Sequence, residues 1–215
     1  MVTFRNPLLF ALLGLLHGCA GPDVRERTAI PPVTATVPAV SVPFISVSAP
    51  DPISGCPCVV ASCVGELGVK EEGRNSGDRV RTYLRSCELG PGYPWCAAFV
   101  HWNHRGCGAG PRPDRAFALA AKWGSANTVW KKGDKVPERD RISQDGDVFT
   151  LWYNSPEKTG IGHCGVIEGE DDKFYLTIEG NTGSGGEREG DGVYRRKRSK
   201  KSIYTVNRWC QKKQP

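Results

Sequence analysis

The hydrophobic pattern of this chain changes period part-way along, and that change limits the class of fold it can adopt. Val60, Val64 and Leu67 recur at helical spacing between Val59 and Val69, and Val80, Tyr83, Leu84 and Cys87 repeat the pattern after Ser76-Gly77-Asp78, which suits a helix start. A third helix is predicted from about Cys96 to Arg105, with Trp95, Phe99 and Trp102 on one face, and a fourth from Arg115 to Trp123. After a long charged loop the period becomes two. Asp147 to Tyr153, Gly162 to Glu168, Phe174 to Glu179, Gly192 to Arg198 and Ser202 to Trp209 read as strands separated by Gly, Asp or Ser. Helices first and strands afterwards predict an α+β domain, N-terminal helices packed on a C-terminal antiparallel sheet of about five strands.

The 215 residues, 39% of them hydrophobic, suffice for one core of ordinary domain size. That domain is assigned to residues 56–215. Residues 20–55 are Pro, Val, Ser, Thr and Ala with almost no charge after Arg27, a composition that favours a tether, or else an arm lying on the domain. Residues 1–19 read as an export signal: Arg5 supplies the charge and Pro7 to Leu16 an apolar run too short to span a bilayer comfortably. The ending Leu16-His17-Gly18-Cys19 resembles a bacterial lipobox with Cys19 as the lipidated residue, although His17 is an unusual occupant; ordinary cleavage near Ala20 is the alternative. The expected location is the bacterial cell envelope, outside the inner membrane, with an N-terminal lipid anchor and a monomeric domain.

A net charge of +6 favours a polyanionic or carboxylate-bearing environment. Nucleic acid is not an expected partner of an exported chain. Nine cysteines in an exported chain point to disulfides. With Cys19 set aside for lipid and Cys96 for chemistry, seven remain (Cys56, Cys58, Cys63, Cys87, Cys107, Cys164 and Cys210), enough for up to three bridges with one thiol over. Cys56 and Cys58 are too close to bridge each other easily. No Cys and His set has zinc-finger spacing, and neither metal nor organic cofactor is implied.

Cys96 falls at the predicted first turn of an apolar helix, where unpaired backbone amides and the positive end of the helix dipole favour thiolate over thiol. A base and an orienting group are offered by Gly162-His163-Cys164-Gly165 and Ile178-Glu179-Gly180-Asn181. If the turn Glu170-Asp171-Asp172-Lys173 centres on Asp171, His163 faces Glu179 directly, with Asn181 on the same face; a turn centred between Asp171 and Asp172 breaks that pairing. A Cys thiolate, a His that moves the proton and a third group that orients the ring are what thiol-dependent amide hydrolysis requires. The alternatives are a buried or bridged Cys96, a hydrogen-bonded strand His163 and a polar loop after Glu179.

Tyr93-Pro94-Trp95-Cys96-Ala97-Ala98-Phe99-Val100, Gly162 to Glu168 and Thr177 to Thr182 resemble the three blocks of the CHAP domain, the cysteine- and histidine-dependent amidohydrolase/peptidase family of papain-like fold, over roughly Val59 to Arg208. The resemblance implies Cys96 as nucleophile, His163 as general acid/base, Glu179 as the orienting residue and Asn181 as an auxiliary polar group. It implies peptidoglycan as substrate, cut at an amide between sugar and peptide or within the peptide. Trp95, Trp152 and Asn75 are candidate substrate contacts; for Trp152 the alternative is core packing, and for Asn75 a turn and helix cap. Two departures from the family pattern are Cys164, where an apolar residue is usual, and Cys107 after the nucleophile helix, which leave open a disulfide near the site or one between Cys164 and Cys96. The basic run Arg195 to Lys201 reads as a solvated edge face or as an attraction for anionic wall polymers. The competing class is a catalytically silent wall-binding or structural lipoprotein on the same scaffold.

Overall fold

The computed structural model describes residues 55–111, 114–183 and 190–210. The export signal, Cys19 and the tether up to residue 54 lie outside the described residues. Helices α1 (Pro57–Gly65), α2 (Asp78–Ser86) and α3 (Cys96–Gly106) come first, followed by a short α4 (Ala120–Trp123). Strands β1 (Thr128–Lys131), β2 (Val148–Ser155), β3 (Lys158–Glu170), β4 (Phe174–Thr182), β5 (Gly192–Ser199) and β6 (Thr205–Asn207) form one sheet in the order β1-β6-β2-β3-β4-β5, every neighbour antiparallel. The α+β class holds, with six strands where about five were expected.

The added strand is β1, inside the stretch taken as a charged loop. Only Trp130 of its four residues is buried, so no alternation marks it. The fourth helix is shorter than expected because Leu119 is extended (φ −99°, ψ 125°) and separates a 3₁₀ turn at Arg115–Ala118 from α4.

Proline at the first position of α1 needs no amide partner, and Asp78 at the start and Arg85 at the end of α2 complement the helix dipole. Helix α2 buries Val80, Tyr83 and Leu84, a single inward stripe. Helix α3 is different: Cys96 through His101, Asn103 and His104 are all buried, as in a helix surrounded by protein. Of its two histidines, His104 is pulled down to about 4 by burial and stays neutral. One core joins α1 to α4 with Val148, Cys164, Val166 and Ile178 from the sheet, while Phe149, Leu151, Ile167, Tyr175, Ile203 and Val206 gather with Trp130 in a second. Neighbours such as Val148 and Phe149 thus enter different cores, following the two-residue alternation of a strand.

Cys58 bridges Cys107 at the end of α3, and Cys56 bridges Cys210, so two cysteines on either side of Pro57 at the start of α1 tie to different parts of the domain. Cys63, Cys87, Cys96 and Cys164 are free and buried. Cys107 therefore bridges away from Cys164, and the expected number of up to three bridges becomes two among the described residues. In the chain-entropy view the Cys58–Cys107 link, with a sequence separation of 49, contributes about 4 kcal/mol. Replacing both cysteines by alanine is expected to lower the unfolding free energy by about that amount in a denaturant melt.

Candidate functional site

Cys96 is the first residue of α3, directly after Trp95. The amides of such a first turn have no partner within the helix, so they and the dipole favour negative charge at the sulfur. Trp95 itself is wholly buried, stacks on Tyr83 and donates its ring N–H to Glu71 at 2.6 Å. It supports the helix start from beneath, and the expectation that it meets substrate does not fit that burial. Asn181 fastens the same point: its side-chain oxygen accepts from the Trp95 backbone N–H and its nitrogen donates to the Gly190 carbonyl, both at 2.9 Å.

The register of β3 and β4 differs from the expected one. Near the turn Glu170 lies opposite Tyr175, which centres the hairpin beyond Asp172; continued unbroken, that pairing would put His163 and Glu179 on opposite faces. A bulge between Ile167 and Gly169 shifts the pairing by one, so that Val166 lies opposite Ile178 and the two side chains return to one face. Glu179 is then one step beyond Ile178, above Gly165 rather than His163. A Cβ at Gly165 would sit 2.8 Å from Glu179 Cγ, so the absence of a side chain there lets Glu179 lean diagonally across β3. His163 Nε2 donates to Glu179 Oε2 at 2.8 Å. Nδ1 is left for the hydrogen bond that His163 makes with Cys96.

Glu179 is fully buried and its carboxylate is saturated. Oε1 accepts from Thr177 Oγ1 at 2.7 Å and Arg198 Nε at 2.8 Å, and Oε2 accepts from Arg198 Nη2 at 2.6 Å in addition to His163. Burial by itself raises this carboxyl, but the Arg198 and then the His163 hydrogen bonds and charges overcome it and hold it at about 2. For His163 burial works against the charged ring, and the bonds and charges of Cys96 and Glu179 reverse this to raise it to about 9. The Cys96 thiol is held well below its ordinary value, first by a hydrogen bond from Cys164, then, against burial, by His163 and by the Cys164 backbone N–H. Burial pushes Cys164 well up, so it stays a thiol and a donor. At neutral pH the pair is a thiolate and an imidazolium. Cys164 was read from sequence as a possible bridge partner; both sulfurs are instead free.

These groups open onto a cleft of about 940 Å³ that Cys96, His163 and Asn181 line. Trp152 and Tyr153, 46% and 37% exposed, form part of its wall, which favours the contact reading of Trp152 over core packing. Asn75, at a positive φ of 49°, is also on the wall, its N–H held by Glu71 at 2.8 Å. Sequence reasoning missed Arg198, which was absorbed into a basic run. Strand parity was the available signal, because Arg196 and Arg198 share the face of Thr177 while Arg195 and Lys197 take the other.

A buried cysteine at a helix start, hydrogen-bonded to a histidine that a carboxylate holds, defines the class of cysteine- and histidine-dependent hydrolase sites. Residues 89–181 match the family model of the CHAP domain, and CHAP domains are typically cysteine hydrolases. The matched stretch includes Cys96 and His163, ends on Asn181, and is shorter than the span over which the sequence resembles the family. No curated protein matches the chain.

Cys164→Ala removes the thiol donor to Cys96 while keeping the strand apolar. The pH at which Cys96 alkylates half-maximally, followed by the mass of its peptide, is expected to rise by about one unit. An unchanged midpoint would mean that Cys164 does not stabilise the thiolate.

Proposed function

We propose that the chain is an exported peptidoglycan hydrolase that cuts an amide bond, an N-acetylmuramoyl-L-alanine amidase or a peptide endopeptidase. The Cys96 thiolate attacks the carbonyl, and the His163 imidazolium gives its proton to the departing amine. Neutral His163 then takes a proton from the water that resolves the thioester. Glu179 holds the ring through Nε2 in both steps, so the same tautomer serves acid and base. The backbone amide of Cys96, at the helix start, faces the charge that develops on the carbonyl oxygen. Asn181 keeps that helix start in place. In the same reading residues 1–19 direct export, Cys19 carries lipid, and residues 20–55 tether a monomeric domain to the membrane.

The observation that carries the proposal is the free Cys96 thiol joined to His163 and Glu179 at the floor of an open cleft. A silent wall-binding role needs Cys96 locked in a bridge, and its sulfur is not in one. The disulfides fit an oxidising compartment.

Purified peptidoglycan treated with the domain is expected to release fragments with new amino and carboxyl ends, and mass spectrometry of these identifies the bond. Cys96→Ala and His163→Ala are each expected to lower the rate by about three orders of magnitude or more. Equal clearance by wild type and Cys96→Ala, or none by wild type with and without reductant, would refute the proposal. The sign of the pH effect follows from His163. Its raised value preserves the imidazolium below about 9, so kcat/KM is expected to fall as pH rises through about 9.

A further inference from the structure

We propose that Arg198 is a positioning residue of this site: its guanidinium keeps Glu179 ionised and pointed at His163, making a chain of four groups rather than three. The inference rests on the hydrolase reading for its purpose, but not for its test. Arg198 lies beyond the stretch that matches the CHAP family model, on the edge strand β5.

Geometry carries it. Arg198 is opposite Tyr175 in the β4–β5 register, four residues from Glu179 along β4, whereas Tyr194 is directly opposite Glu179. Its side chain therefore runs along the sheet, past Thr177, to place Nε and Nη2 on the two oxygens of one carboxylate at 2.8 and 2.6 Å. Such a fork fixes the rotation of the carboxylate as well as its charge. The Arg198 side chain is 23% exposed and forms part of the cleft wall, so Glu179 is sealed beneath it.

The charges alternate along the chain: guanidinium, carboxylate, imidazolium, thiolate. Their sum is zero. Without Arg198 the sum becomes minus one in a buried place, and the cheapest correction is a proton on Glu179. A protonated Glu179 no longer accepts from His163 Nε2 as a charged partner, and the imidazolium keeps only Cys96 as a charged support. Among the described residues, the charged or titratable groups that interact with Glu179 are His163 and Cys164 from β3, Arg198 from β5 and Tyr153 from β2, with Cys96 of α3 beyond His163. Among these, Arg198 is the one cation that does not titrate in the working range.

The test is the pH dependence of Cys96 alkylation by iodoacetamide in the full chain, read by the mass of the Cys96 peptide, with a thermal melt for each variant. Arg198→Leu is expected to move the acid edge of reactivity up by about one unit, and to lower the rate on the acid side about tenfold. Arg198→Lys, which keeps charge without the fork, is expected to recover most of that shift. In a Glu179→Gln background, where there is no carboxylate for Arg198 to hold ionised, Arg198→Leu is expected to change the rate by less than about twofold. A residue that only supports the fold would lower the melting temperature and leave the acid edge in place. The proposal is overturned if Arg198→Leu leaves that edge where it is, or moves it equally with and without Glu179. Should Arg198→Leu lack a cooperative melt, Arg198→Gln makes the same comparison. Alkylation needs no peptidoglycan, so a wall that is not digested contradicts the proposed function and leaves this result standing.

Discussion

The ion pair between Cys96 and His163 depends on a carboxylate that has no water to solvate it, and the rest of the site is arranged around that constraint. Glu179 is buried with a value near 2 because every lone pair it has is occupied by Thr177, His163 or the Arg198 fork. A buried ion is tolerated when it is paired and hydrogen-bonded, and is costly when it is not. Glu179 in turn supports the imidazolium, the imidazolium supports the thiolate, and the first turn of α3 and the Cys164 thiol complete the shell around the sulfur. Water need not enter to stabilise any of these charges, which leaves the cleft above them for substrate.

Bringing the chain of charges together is the work of backbone irregularities. The bulge at Ile167 to Gly169 restores the facing of His163 and Glu179 that the hairpin turn alone would lose. Gly165 leaves the space through which Glu179 leans, and Gly180 does the same where β4 passes α3, since a Cβ there would sit 2.6 Å from the Trp95 ring and 2.7 Å from Phe99. A second bulge between Glu179 and Thr182 coincides with the left-handed backbone of Asn181 (φ 52°), where the strand turns to hold the start of α3. Bulges next to sites re-aim side chains in this way.

Much of this could be read before any coordinates, for identifiable reasons. The helix and strand periods gave α1 to α3 and β2 to β6, while β1 buries one residue and left no pattern. The residue types of the site were legible, since a cysteine at a helix start and a histidine and a carboxylate on neighbouring strands can be read without the register. The register itself was not, because a bulge adds a residue without changing composition. Arg198 was hidden by its neighbours: in Arg195-Arg196-Lys197-Arg198 charge dominates the appearance of the segment, and only the pairing with β4 shows which two cations face inward. The fate of the cysteines was equally out of reach, as Cys58 and Cys107 meet only once α1 packs on α3.

The partition of those cysteines matters to the account. Bridges tie Cys56 and Cys58 to Cys210 and Cys107, while the four free thiols among the described residues are all buried, Cys96 and Cys164 among them in contact. The most direct check of the central claim is the charge state of His163 in the folded protein, followed by nuclear magnetic resonance of its ring nitrogens against pH. The expected result is an imidazolium that persists through neutral pH and titrates near 9, and that falls back towards an ordinary histidine, about 6.5, when Cys96 is replaced by alanine. A His163 already neutral at pH 7 in the wild-type protein, or one unaffected by the loss of Cys96, would contradict it.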